Sequence, residues 1–169
     1  EIGLNHNGDE KYAIKLIDEI FKHEVDAITF QIRERSFYKG KFAKYLLKDN
    51  FYEKIKKKCK SKGIKIGFAI CDDSKLDFIE KLKIDFIKII RDGIKNKNLI
   101  KKIFNTNVEK IFVSTGLANT NNIINFFNFI EKKNKKKIVL VHTQLNNKIE
   151  NTNLKSINFL KQKFKCDVG

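Results

Sequence analysis

The sequence predicts an α/β fold, and within that class an incomplete (β/α)8 barrel (TIM barrel) with about six βα units. First, short apolar runs alternate with longer amphipathic segments along the whole chain of 169 residues. Second, single helices between the strands act as crossover connections, which join parallel strands and are right-handed. Third, a complete barrel takes about 250 residues, so this chain holds roughly five to six units.

Six apolar runs predict the strands, and the beginning of a seventh follows at Cys166–Gly169. The runs are apolar over most of their length and do not alternate, which is typical of parallel strands that are buried on both faces. They lie at Ile2–Leu4, Ala27–Ile32, Ile64–Ile70, Phe86–Ile90, Ile111–Val113 and Ile138–Val141.

Between the runs, apolar residues recur at spacings of three and four, which predicts helices with one buried face. In the first helix these residues are Ala13, Leu16, Ile17, Ile20 and Phe21. The other helical segments are Phe51–Lys62, Ser74–Leu82, Asn96–Phe104, Asn119–Glu131 and Asn153–Phe164. A doubly wound open sheet is the alternative, although no G-x-G-x-x-G loop supports it.

The formal net charge of +16 arises from 36 basic and 20 acidic residues, and such an excess raises the question of nucleic-acid binding. Only three of the basic residues are arginine, whereas readers of bases and phosphates favour arginine. Abundant Lys, Ile, Asn and Phe without Pro or Trp is typical of an AT-rich genome. We therefore do not expect nucleic acid as a partner, and keep a basic binding module as a third hypothesis.

The sequence contains no apolar stretch long enough for a membrane span and no secretory signal, so we expect a cytoplasmic protein without a membrane partner. Cys59, Cys71 and Cys166 are too far apart for a zinc motif or a disulfide framework. The chain begins at Glu1 and contains no Met. We interpret residues 1–169 as one partial barrel domain, and expect the rest of the barrel and any further domain outside it.

Polar residues follow each predicted strand, where parallel barrels carry their active sites. Because the carboxyl ends of parallel strands meet at one edge, we expect these residues to converge on a common opening. They are Asn5-His6-Asn7, Gln31 and Arg33, Cys71-Asp72-Asp73, Arg91-Asp92, Ser114-Thr115-Gly116, and His142-Thr143-Gln144. Each one taken singly is also an ordinary turn former or helix cap.

Lys88 differs from these because it lies inside the apolar run Phe86–Ile90. A buried lysine requires an anion or water, so we expect its ammonium to reach a bound anion. Ser114 and Thr115 provide hydroxyls and backbone N–H groups that suit a phosphate. His142 alone predicts no metal site.

Taken in order, these segments resemble the sialic acid synthase family, which includes N-acetylneuraminate, legionaminate and pseudaminate synthases. The most specific similarity is the opening motif Glu1-Ile2-Gly3-Leu4-Asn5-His6-Asn7-Gly8-Asp9. Weaker similarities follow at Asp26–Gln31 (A-D-A-V-K-F-Q in the family), Ile87–Ile89 (Y-K-I), Val113–Ala118 (L-S-T-G-M-A) and Val141–Thr143 (L-H-C).

The resemblance implies a barrel that condenses phosphoenolpyruvate with an N-acylated amino sugar to form a nonulosonic acid. It implies a divalent metal (Mn²⁺ or Mg²⁺) in the full-length enzyme, two histidine ligands of which lie beyond Gly169, and a homodimer completed by a C-terminal antifreeze-like domain. Lys88 and Ser114 match positions that hold phosphoenolpyruvate, and Glu1 and Gln31 match positions near the reacting centre. We predict Glu1 and Lys88 as catalytic, no metal ligand in this chain, and as substrate-binding Asn5, Gln31, Arg91, Ser114, Thr115 and His142.

Several positions depart from the family pattern. Thr29 replaces a phosphoenolpyruvate-binding lysine, Phe68-Ala69-Ile70 replaces S-T-P, and Arg91 and Gly93 replace a serine and an acidic residue. Leu145 and Asn147 stand where the family contacts the N-acyl sugar. We hypothesise that Arg91 restores the charge lost at Thr29. The alternative function is a degenerate barrel that binds a small anion or carbohydrate without catalysis.

Overall fold

A computed structural model describes residues 1–146 and 148–169 of the chain. Its centre is a parallel sheet of six strands in the order β1-β2-β3-β4-β5-β6. The strands are β1 (Ala27–Ile32), β2 (Lys65–Ile70), β3 (Phe86–Ile89), β4 (Lys110–Ser114), β5 (Ile138–Val141) and β6 (Asp167–Val168).

Every strand pairs with the next strand along the chain, as in a barrel. A doubly wound sheet instead reverses its strand order at a switch point. With right-handed crossovers, an order that never reverses places all helices on one face. The incomplete barrel is therefore confirmed, and the doubly wound alternative is wrong.

Six α-helices separate these elements, and short 3₁₀ turns occupy much of the long connection between β1 and the second helix. Side-chain caps begin several of them: Asp9 accepts hydrogen bonds from two backbone N–H groups, and Asn119 forms a reciprocal capping box with Asn122. The helices are α1 (Glu10–Ile20), α2 (Asp49–Ser61), α3 (Leu76–Leu82), α4 (Lys97–Phe104), α5 (Thr120–Phe129) and α6 (Lys155–Phe164). Among the described residues, no helix is both long enough and apolar enough to cross a bilayer.

The strand predicted at Ile2–Leu4 is reduced to a single parallel bridge between Ile2 and Phe30. The Ile2 N–H donates to the Thr29 carbonyl at 2.7 Å, and its carbonyl accepts from the Gln31 N–H at 2.9 Å. The chain then turns away through Gly8, whose φ is +80° and where a Cβ would lie 2.1 Å from the Lys44 carbonyl oxygen. Glu1 is thereby fixed beside β1.

We expect from the sequence that the strands are buried on both faces, but the structure has one densely buried face and one partly exposed face. The helix face carries the densest core, including Ile28, Phe30, Ile66, Phe68, Ile87, Ile89, Ile111, Val113, Ile138 and Leu140. Alternating residues form what we call the inner face, of which Thr29, Gln31, Lys88, Phe112 and Val139 stay partly exposed. The six strands form an open arc, so no described strand covers the inner face from the opposite side.

Near the amino ends of the strands, aromatic rings and ion pairs fill the inner face. The Phe86 ring lies over Gly67, where a Cβ would be 2.2 Å from a ring carbon, and packs edge-on against Phe112 at 5.3 Å between centroids. Below them, two lysines form ion pairs across strands: Lys65 with Glu109 at 2.6 Å, and Lys110 with Asp167 at 3.1 Å. We call this layer the floor.

Candidate active site

The carboxyl end of the inner face brings several of the predicted residues together. In the strand register, Gln31 pairs with Ala69, and Ala69 pairs with Lys88. Gln31 and Lys88 therefore lie on the same face, two strand spacings or roughly 10 Å apart, across the small side chain of Ala69. Lys88 pairs with Phe112 on β4, and Ser114 follows Phe112 by two residues. Ser114 therefore lies on the same face, one strand beyond Lys88 and nearer the carboxyl end. We call Gln31, Lys88 and Ser114 the mouth.

The ammonium of Lys88 forms an ion pair with Glu1, with 2.9 Å between Nζ and Oε2. The Lys88 side chain is 24% exposed and that of Glu1 is 48% exposed, so water reaches the pair. Gln31 lies close by: its Oε1 would be 3.3 Å from a Cβ added at Gly3, two residues after Glu1. The bridge at Ile2 thus places a carboxylate, an ammonium and an amide along one edge.

Three hydroxyl groups meet at the carboxyl ends of β4 and β5. Ser114 and Thr115 are nearly fully buried, and the Ser114 Oγ lies 2.8 Å from the Thr143 Oγ1. The Thr115 hydroxyl donates to the Val141 carbonyl at 3.1 Å, so it ties the two strands together. Ser114 is therefore the hydroxyl nearest to Lys88 in register, whereas that of Thr115 is already used within the sheet.

A second polar cluster covers the carboxyl ends of β1 and β2. Arg33 donates two hydrogen bonds to the Glu34 carboxylate, each 3.0 Å long, and its guanidinium lies 4.4 Å from the centre of the Phe37 ring. The Cys71 thiol donates to the same carboxylate at 3.3 Å. The hydrogen bonds from Arg33 lower the pKa of Glu34 to about 2, whereas burial raises that of Cys71 to about 11.

Three predicted substrate-binding residues lie apart from the mouth contacts. His142 is half-buried, and its Nε2 lies 2.7 Å from the Thr152 carbonyl oxygen in the segment before α6. Arg91 is exposed directly after β3, with φ at +54°. Asn5 is exposed in the first turn. Their roles in binding stay predictions.

His6, beside Asn5, is 2% exposed and its Nδ1 accepts a hydrogen bond from the Gly8 N–H at 3.0 Å. Burial lowers the pKa of its imidazole. These contacts fit a histidine that stabilises the turn.

The departures from the family pattern can be located in the fold. Thr29 lies on the inner face, two residues before Gln31, and pairs with Gly67. A lysine at this position would therefore point into the same space as Lys88. Gly93 is buried, and a Cβ there would lie 2.7 Å from the Ile89 Cγ2, so the fold leaves no room for an acidic side chain. Leu145 is 64% exposed, and Asn147 lies outside the described residues.

We tested whether the described residues could hold the implied divalent metal. Across residues 1–146 and 148–169, no three His, Cys, Asp or Glu side chains converge as metal ligands. These described residues do not fit a metal on their own.

With this geometry established, comparison with known proteins identifies the family. A family profile described as the NeuB family matches residues 12–169. The chain belongs to the NeuB family. The resemblance to the sialic acid synthases is thereby confirmed.

Two relatives can be aligned with the entire chain. It is 31% identical over 197 aligned positions to the N,N'-diacetyllegionaminic acid synthase of Campylobacter jejuni, covering 100% of this chain and 58% of the relative. It is 28% identical to an uncharacterized protein of Methanocaldococcus jannaschii, covering 100% of this chain and 52% of that protein. The chain therefore spans about half the length of the curated relatives it matches.

A solved NeuB-type structure has the same fold. The N-acetylneuraminic acid synthetase of Leptospira borgpetersenii, solved in complex with citrate, superposes with a TM-score of 0.88 at 24% identity, covering 99% of this chain and 61% of that one. At this identity the likeness shows the fold alone. It supports the barrel assignment made from the strand order.

Sequence reasoning did not select two residues that the structure places at the carboxyl ends of the strands. Thr143 follows its strand as His142 does, but the sequence predicts only His142 as a binding residue. The inward phase of β5 runs through Val139 and Val141 to Thr143, so the strand phase would have selected it. Nothing in the local sequence predicts the contact of Glu34, because its hydrogen bond with Cys71 joins residues that are 37 positions apart.

Proposed function

We propose that the chain is the barrel part of a sugar-acid synthase that condenses phosphoenolpyruvate with an N-acylated amino sugar, similar to N-acetylmannosamine, to form a sialic-type acid. Family membership supports a synthase of this class. The observation that carries the proposal is the inward-facing ammonium of Lys88, held 2.9 Å from Glu1 and sharing its face with Gln31 and Ser114. A cation, a carboxylate, an amide and a hydroxyl suit a small, strongly anionic substrate.

In the proposed complex, the incoming anion competes with Glu1 for Lys88. The Lys88–Glu1 pair is partly exposed, and such pairs contribute only about 0–1 kcal/mol. A phosphate dianion carries more charge than the Glu1 carboxylate and has further oxygens for the hydroxyl of Ser114, so exchange of Glu1 for the substrate is favourable. The released Glu1 carboxylate then lies beside the bound anion, within reach of a reacting water or hydroxyl.

Gln31 and Ser114 orient the substrate from either side of Lys88. The amide of Gln31 both donates and accepts hydrogen bonds, which suits the hydroxyl or N-acyl group of a sugar. Ser114 provides a hydroxyl to an anion from the opposite side. We further propose, from the resemblance, that the full-length enzyme binds Mn²⁺ or Mg²⁺ and forms a homodimer.

The test is a condensation assay with the full-length protein, phosphoenolpyruvate, N-acetylmannosamine and Mn²⁺. We expect release of inorganic phosphate together with a nonulosonic acid, and loss of both products in Lys88→Gln. Treatment with EDTA should abolish activity and added Mn²⁺ or Mg²⁺ should restore it. Failure to form the acid with any N-acyl hexosamine would contradict the proposal.

A second candidate is a barrel that binds a small anion or carbohydrate without catalysis. Two observations favour it: the inner-face position of the family lysine is Thr29, and the buried Gly93 excludes the acidic side chain. Binding of phosphoenolpyruvate that depends on Lys88, without product formation by the full-length protein, would select this candidate.

A further inference from the structure

A cavity of about 450 Å³ lies beside the mouth, between the connection that follows β1 and the loop that joins β2 to α3. The connection lines it with Arg33, Arg35, Tyr38 and Lys39, and the loop contributes Lys75. Neither Lys88 nor Ser114 lines it. The cavity is therefore a separate compartment from the mouth.

The arginines of this cavity cannot be attributed to the composition of the chain. Only three of its 36 basic residues are arginine, and two of the three line this one cavity. A pocket lined at random in this protein would be rich in lysine. The guanidinium group provides planar, paired donors that match the oxygens of phosphate and carboxylate groups. The concentration of arginine indicates a site for an anion.

The charges of the cavity are only partly neutralised. Arg33 is paired with Glu34 at 3.0 Å, and Lys75 is paired with Asp49 at 2.7 Å. No ion pair of Arg35 or Lys39 occurs among the described residues. Two positive charges thus remain available, which matches the charge of a phosphate dianion.

A neutral donor lies next to these charges. The Tyr38 hydroxyl accepts a hydrogen bond from the Arg33 N–H at 2.9 Å. Its own hydrogen has no acceptor among the described residues, so it is available to a ligand. The Arg33 guanidinium, fixed by Glu34 and by the Phe37 ring, cannot swing away, and it keeps this wall of the cavity in place.

We propose that this cavity binds the phosphate group of a small phosphorylated molecule, with Arg35, Lys39 and the Tyr38 hydroxyl as its donors. The volume exceeds that of phosphate alone and lies within the range of small-molecule pockets, so the remainder of a metabolite also fits. The ligand is either a second molecule or the far end of a substrate that occupies the mouth. Both sources share the chemistry of a phosphate monoester.

The experiment measures binding of inorganic phosphate to the full-length protein by calorimetry and by ¹H–¹⁵N spectra at low ionic strength. It is performed in a Lys88→Gln background, so that the mouth does not contribute and a failure of the proposed condensation does not affect the result. The double variant Arg35→Gln/Lys39→Gln should weaken phosphate binding about tenfold or more. Both side chains are exposed, and an unchanged circular dichroism spectrum verifies that the variant is folded.

The matched control is Lys41→Gln, an exposed lysine of the same connection that does not line the cavity. Unchanged phosphate affinity in this control, with spectral shifts at residues 33–39 and 74–75 of the parent, supports the site. Equal weakening in Lys41→Gln and in the double variant would show a general charge effect and overturn the proposal. Phosphate binding that the double variant does not reduce would also overturn it.

The two sources are distinguished with an N-acyl hexosamine 6-phosphate and chains that retain Lys88. If this sugar phosphate spans both compartments, its affinity falls in the double variant and also in Lys88→Gln alone. If the cavity takes a separate ligand, only the double variant loses affinity. Either pattern supports a phosphate site in the cavity, and an affinity that the double variant does not lower contradicts it.

Discussion

The hydroxyl of Ser114 lies 2.8 Å from that of Thr143, and a second hydrogen bond of Thr143 sets the direction of this contact. The Thr143 hydroxyl donates to the Val141 carbonyl oxygen at 3.1 Å. Because a hydroxyl has a single hydrogen, Thr143 accepts the hydrogen of Ser114. An anion at the mouth must therefore take the Ser114 hydrogen from Thr143.

Thr143→Val removes the acceptor of the Ser114 hydrogen and should therefore strengthen phosphoenolpyruvate binding by roughly three- to tenfold, the usual range for one neutral hydrogen bond. Thr143→Ser keeps the hydroxyl and should bind like the parent. Calorimetry with phosphoenolpyruvate measures both affinities, and equilibrium unfolding shows whether the valine variant is folded. Equal affinities in the valine and serine variants would refute the role assigned to Thr143.

Substitutions at Lys88 and Glu1 should have opposite effects on anion affinity. Lys88→Gln removes the ammonium, and we expect the affinity for phosphoenolpyruvate to fall more than tenfold, as for loss of a charge-assisted bond of about 1.5–3 kcal/mol. Glu1→Gln removes the competing carboxylate, and the affinity should rise several-fold. The two dissociation constants, measured side by side, test the exchange. A fall in both variants would contradict it.

Arg91→Ala tests whether this exposed arginine compensates for Thr29. If it does, the full-length protein should bind phosphoenolpyruvate about tenfold more weakly or worse. Lys57→Ala is the control, because it removes an exposed positive charge on α2, and it should leave this affinity within about twofold. Unchanged affinity in Arg91→Ala would discard the compensation hypothesis.

The Arg33–Glu34 pair predicts how stability depends on pH. Hydrogen bonds from Arg33 lower the pKa of Glu34 from 4.5 to about 2 in the folded chain, so its stabilising effect is complete above pH 4.5. The effect is lost as the pH falls through about 2. The difference in unfolding free energy between the parent and Glu34→Gln should therefore shrink over this interval. Denaturant titrations at several pH values measure it.

The control for this pH dependence is Glu19→Gln, which removes an exposed helical ion pair with Lys22. Subtracting its profile isolates the contribution of the Arg33–Glu34 contact from the general effect of one charge. A constant difference for Glu34→Gln between pH 6 and pH 2 would exclude the contact as its source.

Gly93→Ala should destabilise the chain by about 1–3 kcal/mol, because the added Cβ would lie 2.7 Å from the Ile89 side chain in a packed region. Gly169→Ala is the control, since a Cβ there meets no atom within 4 Å. Chemical unfolding gives both free energies. If the unfolding free energy of Gly93→Ala equals that of Gly169→Ala, the predicted clash with the Ile89 side chain does not occur.

The sequence predicted the parts of the fold that depend on local pattern. Alternating strands and helices indicate a parallel sheet whose strands follow chain order, and Lys88 stands at the centre of the short apolar run Phe86–Ile90. Those features need no knowledge of distant contacts. The predicted convergence of Gln31, Lys88 and Ser114 follows from the same parallel register.

The remaining features depend on information that local patterns do not contain. A strand that is apolar on both faces does not reveal which of its residues face inward, so the sequence alone does not distinguish Thr143 from His142. A run of three apolar residues does not show that the backbone turns away after Ile2. The pairing of Glu34 with Cys71 joins segments that are distant in sequence, and only the folded chain brings them together.

The floor of the inner face bears on how ligands would reach Lys88. Phe86 and Phe112 pack against each other next to Lys88, and cross-strand ion pairs lie nearer the amino ends of the strands. If the complete barrel encloses this layer as proposed, both substrates would enter and leave at the carboxyl ends of the strands. The small anion that contacts Lys88 would then bind before the bulkier sugar.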